Sequence, residues 1–261
     1  MLVSHRKKFI YTKTVKTAST SVESFFEPLC VEEGKWSFSE RRNMHISEHG
    51  IIGSRAAVLD NCKWFNHMSA HSIRRKINQE VWNDYFKFTV IRNPFDKMLS
   101  GYVMFSRMDN AGNVYLRKLK RQFKGLFPQA VPLTDKQKIE GFRTWLKDFA
   151  RQADEYSTQI SDEKIAHFEL PIALSILDQD KYMIDGQCCM DDFIRFEYLY
   201  EDIAKICMCL DIDQNTLNLP DLKMGERKKT IPITDYYDTE TEAIVRRFFA
   251  WEIDRFNYTM P

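Results

Sequence analysis

Lys87-Phe88-Thr89-Val90-Ile91-Arg92-Asn93-Pro94-Phe95-Asp96-Lys97-Met98-Leu99-Ser100-Gly101-Tyr102 reads as a strand, an arginine and a proline-started helix. Residues 86 to 91 are aromatic and β-branched enough to form a strand. Asn93 suits the helix cap, Pro94 the first helical position, and Asp96 the first turn, where the macrodipole favours an acid. Phe95, Met98, Leu99 and Tyr102 recur at three- and four-residue spacing, which predicts a packed face with Ser100 off the stripe. Arg92 therefore leaves the carboxyl end of a central strand beside a helix N-terminus, where open α/β sheets bind ligands. A planar guanidinium in that place suits a phosphate.

The same geometry recurs near the amino terminus. Lys7 to Thr12 is a short apolar strand, and Ser19 to Cys30 reads as a helix with Val22, Phe25, Phe26 and Leu29 on one face. Lys13-Thr14-Val15-Lys16-Thr17-Ala18-Ser19-Thr20-Ser21 joins them. Backbone N–H groups, a helix dipole and a lysine charge together make a phosphate cradle. The loop is not a Walker A sequence, because GxxxxGK[ST] is absent.

The two segments resemble the paired cofactor motifs of sulfotransferases that use 3′-phosphoadenosine 5′-phosphosulfate (PAPS). Within that superfamily they are most similar to the branch containing carbohydrate sulfotransferases and many soluble bacterial proteins. Three further stretches agree in family order: His67-Met68-Ser69-Ala70-His71 with Trp82 to Phe88; Phe193-Ile194-Arg195-Phe196-Glu197-Tyr198-Leu199; and Asp235-Tyr236-Tyr237-Asp238 through Asp254 to Tyr258. The first motif departs from the usual Lys-Thr-Gly-Gly-Thr, with Ala18 and Ser19 in place of glycines, which are unstrained at positive φ where alanine and serine are not.

The fold expected is α/β: one domain over residues 1–261 with a central, mainly parallel sheet flanked by helices, which the resemblance makes a P-loop-like sulfotransferase fold. At 261 residues, 44% hydrophobic and 29% charged, the chain can bury such a core. The polar run from Arg107, with basic residues Arg117, Lys118, Lys120, Arg121 and Lys124, opens a helical insertion over 107–192 that is expected to bind the acceptor. Two helical patterns follow, one on Phe142, Trp145, Leu146 and Phe149 and a weaker one near Ile172, Leu174 and Leu177. A strand is expected at Phe193–Phe196, a helix at 198–210 and a last helix at Thr239–Phe249. Cys30, Cys62, Cys188, Cys189, Cys207 and Cys209 show no metal spacing and read as reduced, mostly core thiols. With no signal peptide or membrane-length apolar run, a cytoplasmic protein without membrane attachment is expected.

The resemblance assigns roles residue by residue. Lys16 would neutralise charge at the 5′-phosphosulfate as the leaving group departs. Thr17, Ala18, Ser19, Thr20 and Ser21 would line that group with hydroxyls and amides. Arg92 and Ser100 would grip the 3′-phosphate, and the basic loop Arg227, Lys228 and Lys229 would close over the nucleotide, with PAP as product and no metal. His67, whose imidazole titrates near neutrality, is the first candidate for the base that removes the acceptor proton, ahead of His71, His45, His49 and Glu23. A zinc pair of His67 and His71 on one helical face lacks a third ligand at recognisable spacing. Arg195 and Glu197 read as a strand-end charge pair.

Charge bears on the acceptor. Asp154, Glu155, Asp162, Glu163, Glu169, Asp178, Asp180, Asp185, Asp191 and Asp192 face only Lys164 and Lys181 in that stretch, whereas a site for an anionic polysaccharide should focus positive potential. The acceptor expected is a small neutral or cationic metabolite, such as a guanidinium alkaloid of the saxitoxin type, with a glycan as the alternative. A nucleotide kinase is the lower alternative; it would need magnesium ligands that the sequence does not display. Nucleic acid is not an expected partner, since the net charge is only +1. Oligomeric state is not legible.

Overall fold

Short strands alternate with helices from the first residues on. β1 (Leu2–Ser4) and β2 (Phe9–Tyr11) form an antiparallel pair with Val3 opposite Ile10. Helix α1 (Ser19–Phe26) tightens into a 3₁₀ turn over Glu27–Cys30, and a second hairpin follows, β3 (His45–Ser47) with β4 (Gly50–Ile52). Helices α2 (Ala70–Lys76) and α3 (Gln79–Asp84) start on the side-chain caps of Ser69 and Asn78 and lead into β5 (Phe86–Ile91). Then come α4 (Pro94–Asp109), α5 (Asp135–Gln159), the hairpin β6 (Met183–Ile184) and β7 (Gln187–Cys188), and β8 (Asp192–Arg195). Helices α6 (Leu199–Cys209), α7 (Ile233–Tyr236), α8 (Thr239–Phe248) and α9 (Ala250–Phe256) complete the chain. This computed structural model describes residues 1–56, 62–109, 133–159, 172–213 and 231–261.

The chain divides into two compact units, Met1–Arg92 with Leu177–Glu226, and Asn93–Ile176 with Arg227–Pro261. The stretch 107–192, expected as one insertion, is thereby shared, its last residues from Leu177 belonging to the sheet-bearing unit.

Among the described residues the central sheet has six strands in the order β3-β4-β1-β2-β5-β8. β2, β5 and β8 run parallel, while β1, β4 and β3 extend the sheet with antiparallel pairing. Alternation places Phe9, Tyr11, Phe88 and Val90 on one face, against Val22, Phe25 and Phe26 of α1 and Ile203 and Ile206 of α6. Val3, Ile10 and Ile51 point the other way, against Trp64, Ile73 of α2 and Trp82 of α3. Both faces are covered by helices, which is the layering of an α/β unit. Phe88 is fully buried, with the rings of Phe9, Tyr11 and Phe26 at 5.6, 5.4 and 5.0 Å. Burial of such a ring stabilises by about 1.5–3 kcal/mol.

The second unit is helical and aromatic. The buried ring of Phe142 in α5 meets Tyr102 of α4 at 5.6 Å, Tyr236 at 5.7 Å and Tyr237 at 5.0 Å. Tyr237 Oη donates to the carbonyl of Phe95 at 2.7 Å, and Arg143 donates to the carbonyls of Asp235, Tyr236 and Tyr237. Helix α8 begins on a capping box of Asp238 and Thr241. The expected patterns on α4, α5 and α8 thus form these helices, and the weaker one becomes a 3₁₀ turn at Ile172–Ile176.

Three expectations need correction. Arg195, expected to pair with Glu197, holds Asp202 of α6 through two bonds of 2.8 Å. Of the thiols, all free, Cys30 and Cys207 are buried but Cys188 and Cys209 are exposed, because β7 and the end of α6 lie at the surface. Asp178, counted among the acids of the stretch 154–192 as a clue to the acceptor's charge, is 1% exposed.

Candidate functional site

The loop after β2 is tied to the sheet from below. Thr12 N–H donates to the carbonyl of Phe88, Thr89 Oγ1 to the carbonyl of Thr12, and Thr14 Oγ1 to the carbonyl of Val90 at 2.5 Å. Thr14 Oγ1 also meets Thr17 Oγ1 at 2.7 Å, and Ser19 Oγ donates to the carbonyl of Thr14 at 2.6 Å. Along the loop exposure alternates: Val15, Thr17, Ser19 and Ser21 are buried, while Lys16, Ala18 and Thr20 reach the surface. The hydroxyls of Thr17 and Ser19 therefore hold the loop together, and Lys16 and Thr20 face outward.

Two outward residues carry the backbone twist. Lys16 has φ 63° and Ala18 φ 59°, both left-handed. Non-glycine residues adopt that region at a cost of roughly 1–2 kcal/mol, and such strain collects at functional sites. Ala18 is the N-cap of α1, and no side chain caps the helix. Ser19 lies inside the helix, so only Ala18 of the two glycine replacements sits in a conformation that glycine would ease. An α-helix start of this kind, approached by a twisted loop, presents N–H groups and the positive dipole end to an anion.

β5 is parallel to β2, and Arg92 follows its last residue. Arg92 Nη1 donates to the carbonyl of Lys16 at 2.9 Å, and its guanidinium lies over the ring of Phe196 with Cζ 4.0 Å from the centroid. Strand pairing of β5 with β8 brings Phe196 there, one residue past Arg195, the partner of Ile91. Arg92, from the second quoted segment, thus meets the loop of the first within the first unit. Ser100 belongs to the second unit, on α4, where it is partly exposed like Asp96 one turn earlier. The loop Arg227, Lys228 and Lys229 lies outside the described residues, as does the basic cluster from Arg117 to Lys124.

His67 precedes α2 in a left-handed conformation, φ 56°. Its Nδ1 lies 3.0 Å from the carbonyl of Lys13, at the start of the loop. A carbonyl only accepts, so Nδ1 carries the hydrogen and Nε2 the lone pair. Burial, then the charges of Lys13, Lys181 and the Met1 amino group, push the imidazole down to about 3, although the residue retains some solvent exposure. This corrects the near-neutral titration expected of His67: the ring is neutral at physiological pH and a weak base, with its lone pair on Nε2.

The other base candidates are placed differently. His71 lies exposed within α2, whereas His67 lies before it, so the two do not share a helical face. His45 and His49 line a cavity of about 680 Å³ with Trp36, Glu27, Arg42 and Glu48, in which neither Lys16 nor Arg92 takes part. Glu23 is fully buried, with Lys13 Nζ at 2.7 Å, Arg55 Nη1 at 3.0 Å and Arg42 Nη2 at 3.5 Å. Burial alone would raise its pKa, but the cations, Lys13 foremost, hold the carboxyl well below the usual range. It is the hub of a buried ion cluster, which removal of one partner would break at a cost of several kcal/mol. Among the described residues no three His, Cys, Asp or Glu side chains are grouped to hold a metal ion, and no helix is long and apolar enough to cross a membrane.

Sequence reasoning missed three participants: Phe196 beneath Arg92, Lys181 near His67, and Asp178, which accepts the Val15 N–H at 2.6 Å. For Phe196 the Arg-Phe-Glu stretch was a usable signal; Asp178 and Lys181 were hidden by their charged neighbours.

A strand, a left-handed loop, a helix start without a side-chain cap, and an arginine over Phe196 at the end of the adjacent parallel strand come together in the first unit. The sequence matches the profile of the sulfotransferase family over residues 1–259, and the chain belongs to that family. No curated protein and no solved structure matches it. The family resemblance read from the motifs holds, and with it a role in sulfuryl transfer.

Proposed function

We propose that this protein transfers a sulfuryl group from PAPS to a hydroxyl or amine of an acceptor. The observation that carries the reading is the Arg92 guanidinium lying over the Phe196 ring, Cζ 4.0 Å from its centroid, and bonded to the carbonyl of Lys16. It sets a rigid cation beside the left-handed loop of an uncapped helix, two phosphate-binding devices in contact. The residues fit a nucleotide with phosphates at two positions: Lys16, Thr20 and the start of α1 for one, Arg92 for the other. PAPS, when bound, supplies a sulfuryl group activated on its 5′-phosphate.

The chain's own groups then have distinct work. Lys16 places a point charge where negative charge grows on the leaving side, and preorganised charge of that kind contributes about 10²–10³ in rate. Arg92 discriminates by charge and planarity for the extra phosphate that ATP lacks at that position. His67 is the base in this reading, its Nε2 unprotonated and its tautomer fixed by the Lys13 carbonyl; at about 3 it is a weak base, so it takes the acceptor proton only as the nucleophile's oxygen or nitrogen bonds to the sulfuryl group and turns acidic. Ser100 and the loop Arg227, Lys228 and Lys229 are further nucleotide contacts in this reading.

Five of the acids between residues 154 and 192 are ion-paired within the protein. Asp154 pairs with Arg247, Glu155 with Arg151, Asp180 with Lys181, Asp191 with Lys87 and Asp192 with Lys205. With these acids neutralised by their own neighbours, the acceptor enters the proposal only as a nucleophile, small metabolite or glycan. Turnover assays with a neutral, a guanidinium-bearing and a glycan acceptor would separate the classes.

Calorimetry of PAP binding to the wild type and to Arg92→Ala, with Mg-ATP for comparison, tests the reading. Expected are tight PAP binding, a loss of about 100-fold or more in the variant, and weak ATP binding. No PAP binding, or a preference for Mg-ATP, would overturn it in favour of a kinase.

A further inference from the structure

The segment following Ile176 returns to the sheet unit as a 3₁₀ turn over Gln179–Lys181, with Asp178 just before it. Asp178 is 1% exposed, and its Oδ2 accepts the Val15 N–H at 2.6 Å from a position 163 residues away. The turn is itself fixed, because Lys181 N–H donates to the carbonyl of Asp178 at 3.0 Å and Lys181 Nζ meets Asp180 Oδ2 at 2.5 Å.

Val15 is buried, so its N–H has to find a partner inside the protein. The residue after it is Lys16 in the left-handed region. A strained residue keeps its conformation only where its neighbours over-determine it. On the carboxyl side of Lys16 that constraint comes from Arg92, through the Lys16 carbonyl, and on the amino side from Asp178, through the Val15 amide.

We propose that Asp178 is a positioning residue for sulfuryl transfer: by accepting the Val15 N–H it fixes the direction in which Lys16 and the following amides are presented to the donor's phosphate. The proposal rests on the nucleotide-binding reading for its functional half. Its structural half is a clamp on the loop, which can be tested without any ligand. Asp178 does not touch the reacting groups in this scheme; it acts through Val15 and Lys16.

The test compares Asp178→Asn, whose carboxamide oxygen can accept the same N–H, with Asp178→Ala, which cannot. Hydrogen–deuterium exchange of the segment 13–20 in the ligand-free protein reads the clamp directly, and PAP calorimetry on the same samples reads its effect. Thermal melting controls for global unfolding. Expected in Asp178→Ala are exchange at least about tenfold faster and PAP affinity at least about tenfold weaker, with both restored to within about threefold in Asp178→Asn. Unchanged exchange in Asp178→Ala would overturn the clamp. Equal damage in both variants would overturn its hydrogen-bond basis. If the exchange pattern is as expected but the wild type binds no PAP, the loop clamp stands and the nucleotide reading fails.

Discussion

The two strand-to-helix corners solve the same problem in opposite ways. After β2 the helix start is left without a side-chain cap, the backbone twists through Lys16 and Ala18, and the hydroxyls of Thr17 and Ser19 turn inward. After β5 the chain closes its own helix: Asn93 Oδ1 accepts the Phe95 N–H at 3.1 Å and Pro94 occupies the first position. In the proposed reading the first corner offers backbone N–H groups to an anion, while the second uses its cap on its own helix and leaves recognition to the Arg92 side chain. A sequence rule that reads both as helix N-termini near a basic residue misses this division between backbone and side-chain recognition.

The largest effect should come from the charge at the open corner. Lys16→Ala is expected to lower kcat by about 10²–10³, with thermal stability unchanged or slightly raised as alanine replaces a lysine of equal backbone strain. A drop in affinity for PAP alone, with kcat intact, would break the comparison by making Lys16 a mere binding group.

Acid pH probes the same corner through His67. Between about pH 6.5 and about 3 the unfolded chain binds a proton at His67 that the folded chain does not. Its contribution to stability therefore rises with pH across that window and is lost on acidification. His67→Gln should lessen the acid loss in melting temperature between pH 7 and 5. In the wild type the acid limb of kcat/KM is expected well below 6.5; a limb at or above 6.5 would show His67 titrating as a free imidazole and remove the distinction drawn for its Nε2.

The closed corner should respond in stability instead. Asn93→Ala is expected to cost about 1 kcal/mol, plus the Asn93 Nδ2 bond to the Thr259 carbonyl at 2.8 Å, while PAP affinity changes less than about threefold. A large affinity loss would show that this helix start also serves the anion. Smallest of all, Ala18→Gly should relieve left-handed strain and change stability by less than about 1 kcal/mol, offset in part by the greater freedom of glycine in the unfolded chain. Denaturant melts would reveal the sign.

Much of this was legible from local chemistry. β5 occupies the predicted residues 86–91, Asn93 caps as expected, and the stripe of Phe95, Met98 and Leu99 is fully buried. The apolar spacing carries the predicted helix α1 to Cys30, four residues too long, because it continues into the 3₁₀ turn that Pro28 and Leu29 share. The antiparallel half of the sheet was not legible, since β1, β3 and β4 are three residues each and too short to show a period. Asp178 and Glu23 were misjudged for a related reason. Composition treats a carboxylate as a surface group or a base, and only three-dimensional pairing shows one holding an amide and the other holding three side-chain cations.

The reach of Asp178 to Val15 also dictates an order of assembly. A ribosome delivers β1, β2, the loop and β5 long before residue 178, and β8, which flanks β5 and carries Phe196 next to Arg92, comes later still. The nascent amino-terminal part can pair its first strands and bury Phe9 against Phe88, yet the Val15 amide has no Asp178 and Arg92 no aromatic floor. Contacts this distant along the chain form slowly, so the cradle is among the last parts of the sheet unit to mature.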